Sequence, residues 1–109
     1  MLFRRLVPAA LLATTLAAAV ATPAIAQDPS FRLNNRSGTT INEVYVSSSA
    51  SGSWGSDLLG ANVLNSGQTL SIRIPSGRCM NDIRVVYANG RPQEWRQQNT
   101  CQITDFNVN

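Results

Sequence analysis

The sequence predicts an all-β protein: a small antiparallel sandwich or barrel of about six strands, held by one disulfide and preceded by a cleavable signal peptide. Short runs of β-branched and aromatic residues alternate with Gly, Asn, Ser and Pro at intervals of about ten residues, as in sandwiches and barrels. An apolar segment with a basic start stands at the N-terminus, and two cysteines are present. No long amphipathic helical pattern competes with this prediction.

The N-terminal segment, residues 1–26, has the pattern of a secretory signal peptide. Two arginines at 4–5 precede an Ala/Leu-rich run over residues 6–21, and residues 24–26 form a small-x-small site. We therefore expect cleavage before Gln27. The alternative is a membrane anchor, but the run is shorter than the ~20 residues that cross a bilayer. The pattern favours the general secretion route, to the periplasm or the medium of a bacterium, with no membrane span after cleavage.

The remaining residues, 27–109, are expected to form a single β domain. All basic residues are arginines, 9 in number, and two of them belong to the signal segment, so the rest nearly balance the 6 acids. Nucleic-acid binding needs a clustered basic surface, whereas these arginines are scattered among acids. We therefore expect no nucleic acid among the partners.

Cys79 and Cys101 are expected to form a disulfide. Two cysteines in an exported protein normally pair, and closing a loop of this length contributes about 3 kcal/mol in the entropic account. Metal ligation is disfavoured, because two thiols without a histidine do not complete a tetrahedral zinc site. A domain this short has a marginal core, so the bond is expected to be structural.

Candidate strands follow from the runs of β-forming residues and from the turn residues between them. Turns are expected at residues 35–38, 65–67 and 75–77 and at Asn89–Gly90. The predicted strands are residues 30–34, 40–47, 69–74, 82–88, 93–98 and 103–108.

The turn at Asn89–Gly90 predicts how two strands face each other. With residues 89–91 as the loop, Val85 lies opposite Trp95, and the two cysteines face each other. A two-residue loop displaces the cysteines by one position. Both registers bring the thiols together at the open end of the hairpin, and the first makes Trp95 a core residue.

Composition limits the chemistry available for catalysis. The absence of histidine excludes the Ser-His-Asp and Cys-His mechanisms, and the absence of lysine excludes a Schiff base. What remains is a pair of carboxylates, as in glycoside hydrolases. Their spacing singles out no pair, so we expect neither enzymatic activity nor a cofactor. The acids are Asp28, Glu43, Asp57, Asp82, Glu94 and Asp105.

The segment from Ser47 to Asp57 is rich in serine and glycine and has one large apolar residue, Trp54. Such a stretch is typical of a mobile flap or of a binding loop. Trp54 with Ser53, Gly55 and Asp57 combines an aromatic face with hydroxyls and a carboxylate, which suits a sugar, a peptide or a partner protein. The alternative is that Trp54 folds back and closes one end of the barrel. No metal site is expected, because a lone carboxylate falls short of the about six to eight oxygens that calcium takes.

Two further patterns adjoin this loop. Ser56 or Asp57 is expected to cap one or two turns of helix that turn the following leucines to the core. Arg73, Arg84 and Arg96 alternate with apolar positions, so we expect them on the solvated face of a sheet, with an anion-binding patch as the alternative.

A set of residues spread over nearly all of residues 27–109 forms a recognisable pattern. It comprises Phe31, Leu33, Asn34, Gly38, Ile41, Tyr45, Val46, Ser47, Trp54, Gly55, Asp57, Leu59, Gly67, Gly77, Cys79, Asp82, Ile83, Arg84, Val85, Gly90 and Cys101. The pattern resembles a group of small bacterial exported β-proteins with a signal peptide, a Trp-Gly-x-Asp-x-Leu loop and two cysteines. The resemblance implies a β fold and a periplasmic or secreted location, and it implies no activity.

The function expected from the sequence is that of a non-catalytic binding or interaction module of the bacterial envelope, with an envelope protein or a glycan as partner. One alternative is an inhibitor or stress-related partner of another envelope protein, which presents the loop to a target cleft. The other is a carboxylate-dependent glycan hydrolase. An exposed Trp54 favours both binding interpretations, and two acids about 5 to 9 Å apart in a cleft favour the hydrolase.

Overall fold

The computed structural model describes residues 28–109, so the predicted signal segment and its cleavage site lie outside the described residues. Within these residues the chain forms strands and one turn of 3-10 helix, Thr100–Gln102. The all-β class is therefore confirmed. The strands are β1 (Phe31–Asn35), β2 (Ile41–Ser48), β3 (Thr69–Ile72), β4 (Met80–Tyr87), β5 (Pro92–Asn99) and β6 (Asp105–Val108).

The strands make two sheets of three strands each, the first with the order β3-β1-β6 and the second with the order β2-β4-β5. The second sheet is antiparallel throughout. In the first sheet, β1 pairs antiparallel with β3 but parallel with β6. The sequence predicted antiparallel pairing only. The parallel pair arises because the chain crosses to the second sheet and back between β1 and β6, as a parallel connection requires.

The core takes alternate side chains from both sheets, as the period of a strand dictates. Trp95 on β5 meets Phe106 on β6 edge to face at 5.1 Å between ring centroids, and Phe106 meets Phe31 at 6.2 Å. These rings join the two sheets, and Trp95 packs against the core as predicted. The buried apolar residues are Phe31, Leu33, Ile41, Val44, Leu59, Leu64, Ile72, Ile74, Ile83, Val85, Tyr87 and Val108.

The predicted register of the β4–β5 hairpin is wrong. Val85 faces Gln93, and Trp95 faces Ile83 instead of Val85. The displacement is an even number of residues, which preserves the face on which each side chain lies. Trp95 therefore still packs against the core.

The loop of this hairpin explains the displaced register. The Tyr87 N–H donates to the Arg91 carbonyl at 2.9 Å, and the Gly90 N–H donates to the Tyr87 carbonyl at 2.8 Å. The loop is therefore residues 88–90, which starts one residue earlier than predicted. Gly90 has a φ of 87°, a conformation that glycine adopts without steric cost.

The predicted disulfide between Cys79 and Cys101 is present, with 5.1 Å between the Cα atoms. It lies at the open end of the β4–β5 hairpin. Next to it the Thr100 N–H donates to the Cys79 carbonyl at 2.9 Å, and the buried Asn81 amide donates to the Thr100 hydroxyl at 3.0 Å. The bond therefore closes a hydrogen-bonded end of the hairpin.

The one or two turns of helix predicted after Asp57 do not form, and residues 58–61 make a hydrogen-bonded turn instead. The Asp57 carboxylate accepts the Leu59 N–H at 3.0 Å, which is the expected cap. Gly60 has a φ of 59°, outside the helical region, so the turn does not continue. Leu59 is buried in the core, whereas Leu58 is 46% exposed.

Candidate functional site

The first part of the connection between β2 and β3, the loop of residues 49–57, lies on the outer face of the second sheet, which is the face turned away from the core. Trp54 is partly buried there. Its ring centroid lies 6.5 Å from that of Tyr45 and 4.8 Å from the guanidinium carbon of Arg96. Tyr45 faces Arg84 across the β2–β4 pair, on the side opposite the core residues of these strands. The indole therefore neither enters the core nor projects into solvent.

Both ends of the loop are fixed by hydrogen bonds. At its start, the Ser49 hydroxyl donates to the Asp82 carboxylate at 2.7 Å. At its end, the Asp57 carboxylate accepts the backbone N–H groups of Val44 and Leu59 at 2.9 and 3.0 Å. With the indole packed in the middle, the loop is held at three points.

Asp82 organises the outer face beneath the loop, where its side chain is 7% exposed. The register of β4 and β5 shifts between Asn81 and Ile83, and Arg96 and Gln97 both lie opposite Asp82, which is a β-bulge. The Asp82 carboxylate accepts the Gln97 N–H at 2.8 Å and a guanidinium N–H of Arg96 at 3.0 Å. Gln97 has a φ of 54°, which costs energy for a residue with a Cβ. The bulge directs Arg96 toward the indole.

Four charged side chains of the outer face, those of Asp82, Arg84, Glu94 and Arg96, are paired with one another. Arg96 donates to Glu94 at 2.7 Å as well as to Asp82, and Arg84 also pairs with Glu94. The hydrogen bond from Arg84, followed by that from Arg96, lowers the pKa of Glu94. The N–H of Gln97 is the main cause that lowers the pKa of Asp82, and the hydrogen bond to Glu94 raises the pKa of Arg96. Asp82, Glu94 and Arg96 therefore stay charged near neutral pH.

Tyr45 supports the indole with its ring, while its hydroxyl is engaged elsewhere. The hydroxyl donates to the Glu43 carboxylate on the same strand. This hydrogen bond is the main cause that raises the pKa of Tyr45. Tyr45 thus remains a neutral donor at neutral pH, and its ring is oriented by Glu43.

A cleft of about 230 Å³ opens between the loop and the sheet. Arg96 has a 59% exposed side chain, and Asp82 borders the cleft through its carboxylate. Within the described chain no intramolecular hydrogen bond engages the hydroxyls of Ser47 and Ser53. The residues that line the cleft are Ser47, Ser51, Gly52, Ser53, Trp54, Asp82 and Arg96.

Of the four residues that the sequence predicted as ligand contacts, two line the cleft and two do not. Trp54 and Ser53 line the cleft. Gly55 follows the tryptophan with a φ of 76°, which allows the chain to turn back toward the sheet. Asp57 lies outside the lining and holds the loop through backbone N–H groups.

Sequence reasoning missed Tyr45, Asp82 and Arg96 as parts of this site. The alternation of Arg84 and Arg96 with apolar positions indicated a solvated sheet face, which is where both lie. Nothing in the sequence indicated the bulge that brings Arg96 and Asp82 together under the loop. From the sequence, Asp82 is one of six acids among which no pair stands out, and Arg96 is expected on a solvated sheet face, with an anion-binding patch as the alternative.

The outer face of the first sheet carries a larger, open depression of about 580 Å³. Arg32 donates to Asp105 through two nitrogens, at 2.8 and 2.7 Å. The Asn34 amide donates to Asn107 at 2.9 Å and accepts from the Thr69 hydroxyl at 2.7 Å. These side chains make their hydrogen bonds to one another across three strands, so the polar groups of the depression already have partners within the protein.

An apolar patch lies beside β3, where Leu58 and Val63 are 46% and 47% exposed. A groove of about 400 Å³ runs along it and is bordered by Leu70. Its lining contains no ionisable group.

Comparison with protein-family models, curated proteins and solved structures finds no match. Among residues 28–109, no three His, Cys, Asp or Glu side chains are grouped as a metal ion requires. A search of the same residues for a helix with the length and apolar character of a membrane span also finds none.

Proposed function

We propose that this protein is an exported, non-catalytic binding module of the bacterial envelope, and that its ligand contacts Trp54 and Arg96 in the cleft of the second sheet. The N-terminal pattern of residues 1–26 supports export. The disulfide between Cys79 and Cys101 is consistent with an oxidising compartment.

The observation that carries the proposal is the preformed cleft at Trp54. A large aromatic side chain stays on the outer face of a sheet, although the core lies within the same small fold. Hydrogen bonds at Ser49 and Asp57 order the loop around it. A site that is already ordered loses little conformational entropy on binding, which favours recognition.

The charge state of the nearby acids supports a binding role over hydrolysis. A glycoside hydrolase needs one carboxyl group with a raised pKa as proton donor. Asp82 borders the cleft and Glu94 is bonded to Arg96 beside it, and hydrogen bonds lower the pKa of both acids. Neither is suited to donate a proton at neutral pH.

The inhibitor alternative receives less support from the loop. An inhibitor inserts a projecting loop into the cleft of its target, whereas residues 49–57 are held against the sheet at Ser49, Trp54 and Asp57. Trp54, the best anchor in the loop, is packed between Tyr45 and Arg96.

Retention from an envelope extract tests the proposal. Protein recovered after expression of the full chain is immobilised and exposed to an envelope extract of the bacterium that encodes it, as wild type, Trp54→Ala and Val63→Ala. Val63 is an exposed apolar residue outside the cleft and serves as the matched control. We expect specific retention by wild type and Val63→Ala and its loss in Trp54→Ala. Equal retention by all three proteins, or no specific retention, contradicts the proposal.

A further inference from the structure

We infer that the ligand of the Trp54 cleft is a neutral saccharide, one ring of which enters the cleft beside the indole, between the loop and the second sheet. This inference rests on the proposed function and specifies its ligand class. It follows from the charges, the unused hydrogen-bonding groups and the size of the cleft.

The charges of the cleft disfavour an ionic ligand. Arg96 is bonded to both Asp82 and Glu94, and Glu94 is bonded to Arg84 as well. The two guanidinium groups of this set balance its two carboxylates, so neither an anion nor a cation meets an unbalanced charge there. A neutral ligand leaves these pairs intact and avoids the loss of a charge-assisted hydrogen bond.

The hydrogen-bonding positions of the cleft that the described residues leave unused suit the hydroxyl groups of a sugar. The Asp82 atom Oδ1 accepts from both Ser49 and Gln97, whereas Oδ2 accepts only from Arg96 among the described residues and so retains a lone pair. Arg96 uses two of its N–H groups on carboxylates and keeps others at an exposed position.

The serines of the cleft add groups that both donate and accept. The hydroxyls of Ser47 and Ser53 lie in the lining without an intramolecular bond in the described chain. Each sugar hydroxyl is also both donor and acceptor. Neighbouring hydroxyls of one ring therefore satisfy an acceptor such as Asp82 and a donor such as Arg96 together.

The size and the aromatic surface favour one ring of an oligosaccharide. The cleft holds about 230 Å³, which is below the roughly 300 to 1,000 Å³ of pockets that enclose a drug-sized molecule. The uncovered surface of Trp54 offers an apolar surface for the C–H groups of a ring. The remaining rings of the chain lie outside in solvent, so we expect dissociation constants in the millimolar range.

Titration of isotope-labelled protein, followed through backbone and indole N–H resonances, tests this inference. The probes are neutral tetrasaccharides of glucose, mannose and N-acetylglucosamine, with an oligogalacturonate as the anionic comparator and trilysine as the cationic one. We expect a neutral tetrasaccharide to shift the Trp54 indole and the amides of residues 51–54 saturably, while the Trp95 indole, which packs against the core, serves as internal control.

Substitutions locate the binding in the cleft. We expect Trp54→Ala to weaken the binding about tenfold or more and Ser47→Ala to weaken it severalfold, since a stacking surface and a hydrogen bond are lost. Ser71→Ala, at an exposed position on β3, is the matched control and leaves the affinity unchanged. Dispersed amide spectra of each variant confirm that it is folded.

The outcomes separate this inference from the proposed function. Saturable shifts with a neutral tetrasaccharide that depend on Trp54 support both. Shifts at residues 51–54 with only the oligogalacturonate or trilysine overturn the ligand class and leave the binding module standing. No shift with any probe also overturns the ligand class, and the Trp54-dependent retention from the envelope extract then decides the proposed function by itself.

Discussion

The carboxylate of Asp82 accepts the backbone N–H of Gln97 at 2.8 Å, at the one described residue other than glycine that has a positive φ, 54°. A left-handed conformation of this kind persists only where surrounding contacts hold it. The same carboxylate binds Arg96 and Ser49. A single buried acid thus links the strained bulge, the guanidinium over Trp54 and the start of the loop.

We expect Asp82→Asn to lower the free energy of unfolding by about 2 kcal/mol, because charge-assisted hydrogen bonds to a buried acceptor are weakened. Urea unfolding measures the change. Asp28→Asn is the control, since the Asp28 carboxylate is exposed and is held mainly by Ser30, so its loss is expected to cost less. Equal stability of Asp82→Asn and wild type contradicts the role of Asp82.

The stability difference between wild type and Asp82→Asn is expected to depend on pH. The pKa of Asp82 is lowered in the folded state, mainly by the Gln97 N–H. The carboxylate therefore contributes fully above its unfolded pKa of about 3.9, and the contribution is lost as pH falls through the lower folded pKa. Urea unfolding at neutral pH and at successively more acidic pH should show the difference shrinking on acidification. A difference that grows toward acid contradicts this assignment.

We expect Asp105 to titrate with a pKa of about 2, because Arg32 donates two hydrogen bonds to it and Asn34 a third. Arg32→Gln should raise this pKa toward the ordinary 3.8. In wild type the ion pair stabilises the fold above the ordinary pKa, and this contribution is lost as pH falls toward 2. Carboxyl NMR titration measures the pKa. Arg36→Gln, an exposed neighbour, is the control, and an unchanged pKa in Arg32→Gln refutes the assignment.

The strands were predictable because their apolar residues alternate and their turns carry Gly, Asn and Pro. The register of β4 and β5 was not, because it depends on the start of the loop at Ala88 and on the bulge at Gln97. A bulge has no residue signature when its strained position is filled by glutamine instead of glycine. It is stabilised by Asp82, a residue 15 positions away in sequence.

The candidate site was predictable only in part for the same reason. Trp54 was identified because it is the one large apolar residue in a Ser/Gly loop. Its partners Tyr45 and Arg96 belong to two strands that do not pair with each other, and only the order β2-β4-β5 and the bulge place both beneath the loop. Periodicity gives the face on which a side chain lies but not the neighbours across strands.

We expect Gly90→Ala to destabilise the protein by about 1 kcal/mol, because a residue with a Cβ is strained in the left-handed conformation. Gly90 has a φ of 87°, and an added Cβ meets no atom within 4 Å, so backbone strain is the whole effect. Gly52→Ala is the matched control, since Gly52 also has open space but no positive φ. Thermal unfolding compares the three proteins. Equal shifts for both variants would remove the conformational explanation.

Removal of the disulfide by Cys79→Ala with Cys101→Ala is expected to cost about 3 kcal/mol, since the bond closes a loop that spans 22 positions. Urea unfolding of the double variant and of the oxidised wild type measures the loss. Intact mass with alkylation, before and after reduction, checks that the wild type is oxidised. Alkylation of both thiols before reduction contradicts the bond itself, and an unchanged unfolding midpoint contradicts its stabilising role.

The loop at residues 49–57 is expected to loosen without global unfolding when the contact between Trp54 and Arg96 is removed. The contact joins the middle of the loop to β5, whereas the core contains neither side chain. Arg96→Ala should therefore speed amide hydrogen exchange at Ser51 and Ser53, whose N–H groups donate to the Ser48 carbonyl and the Ser51 hydroxyl, while leaving the exchange of core strand amides nearly unchanged. Arg96→Lys should restore little of the protection of the loop amides. An ammonium group lacks the planar guanidinium fork that contacts Asp82 and Glu94 together and stacks on the indole.

Arg91→Ala, at an exposed position in the same hairpin, is the control. Equal exchange in the Arg96 and Arg91 variants would mean that the hydrogen bonds at the two ends of the loop suffice to order it.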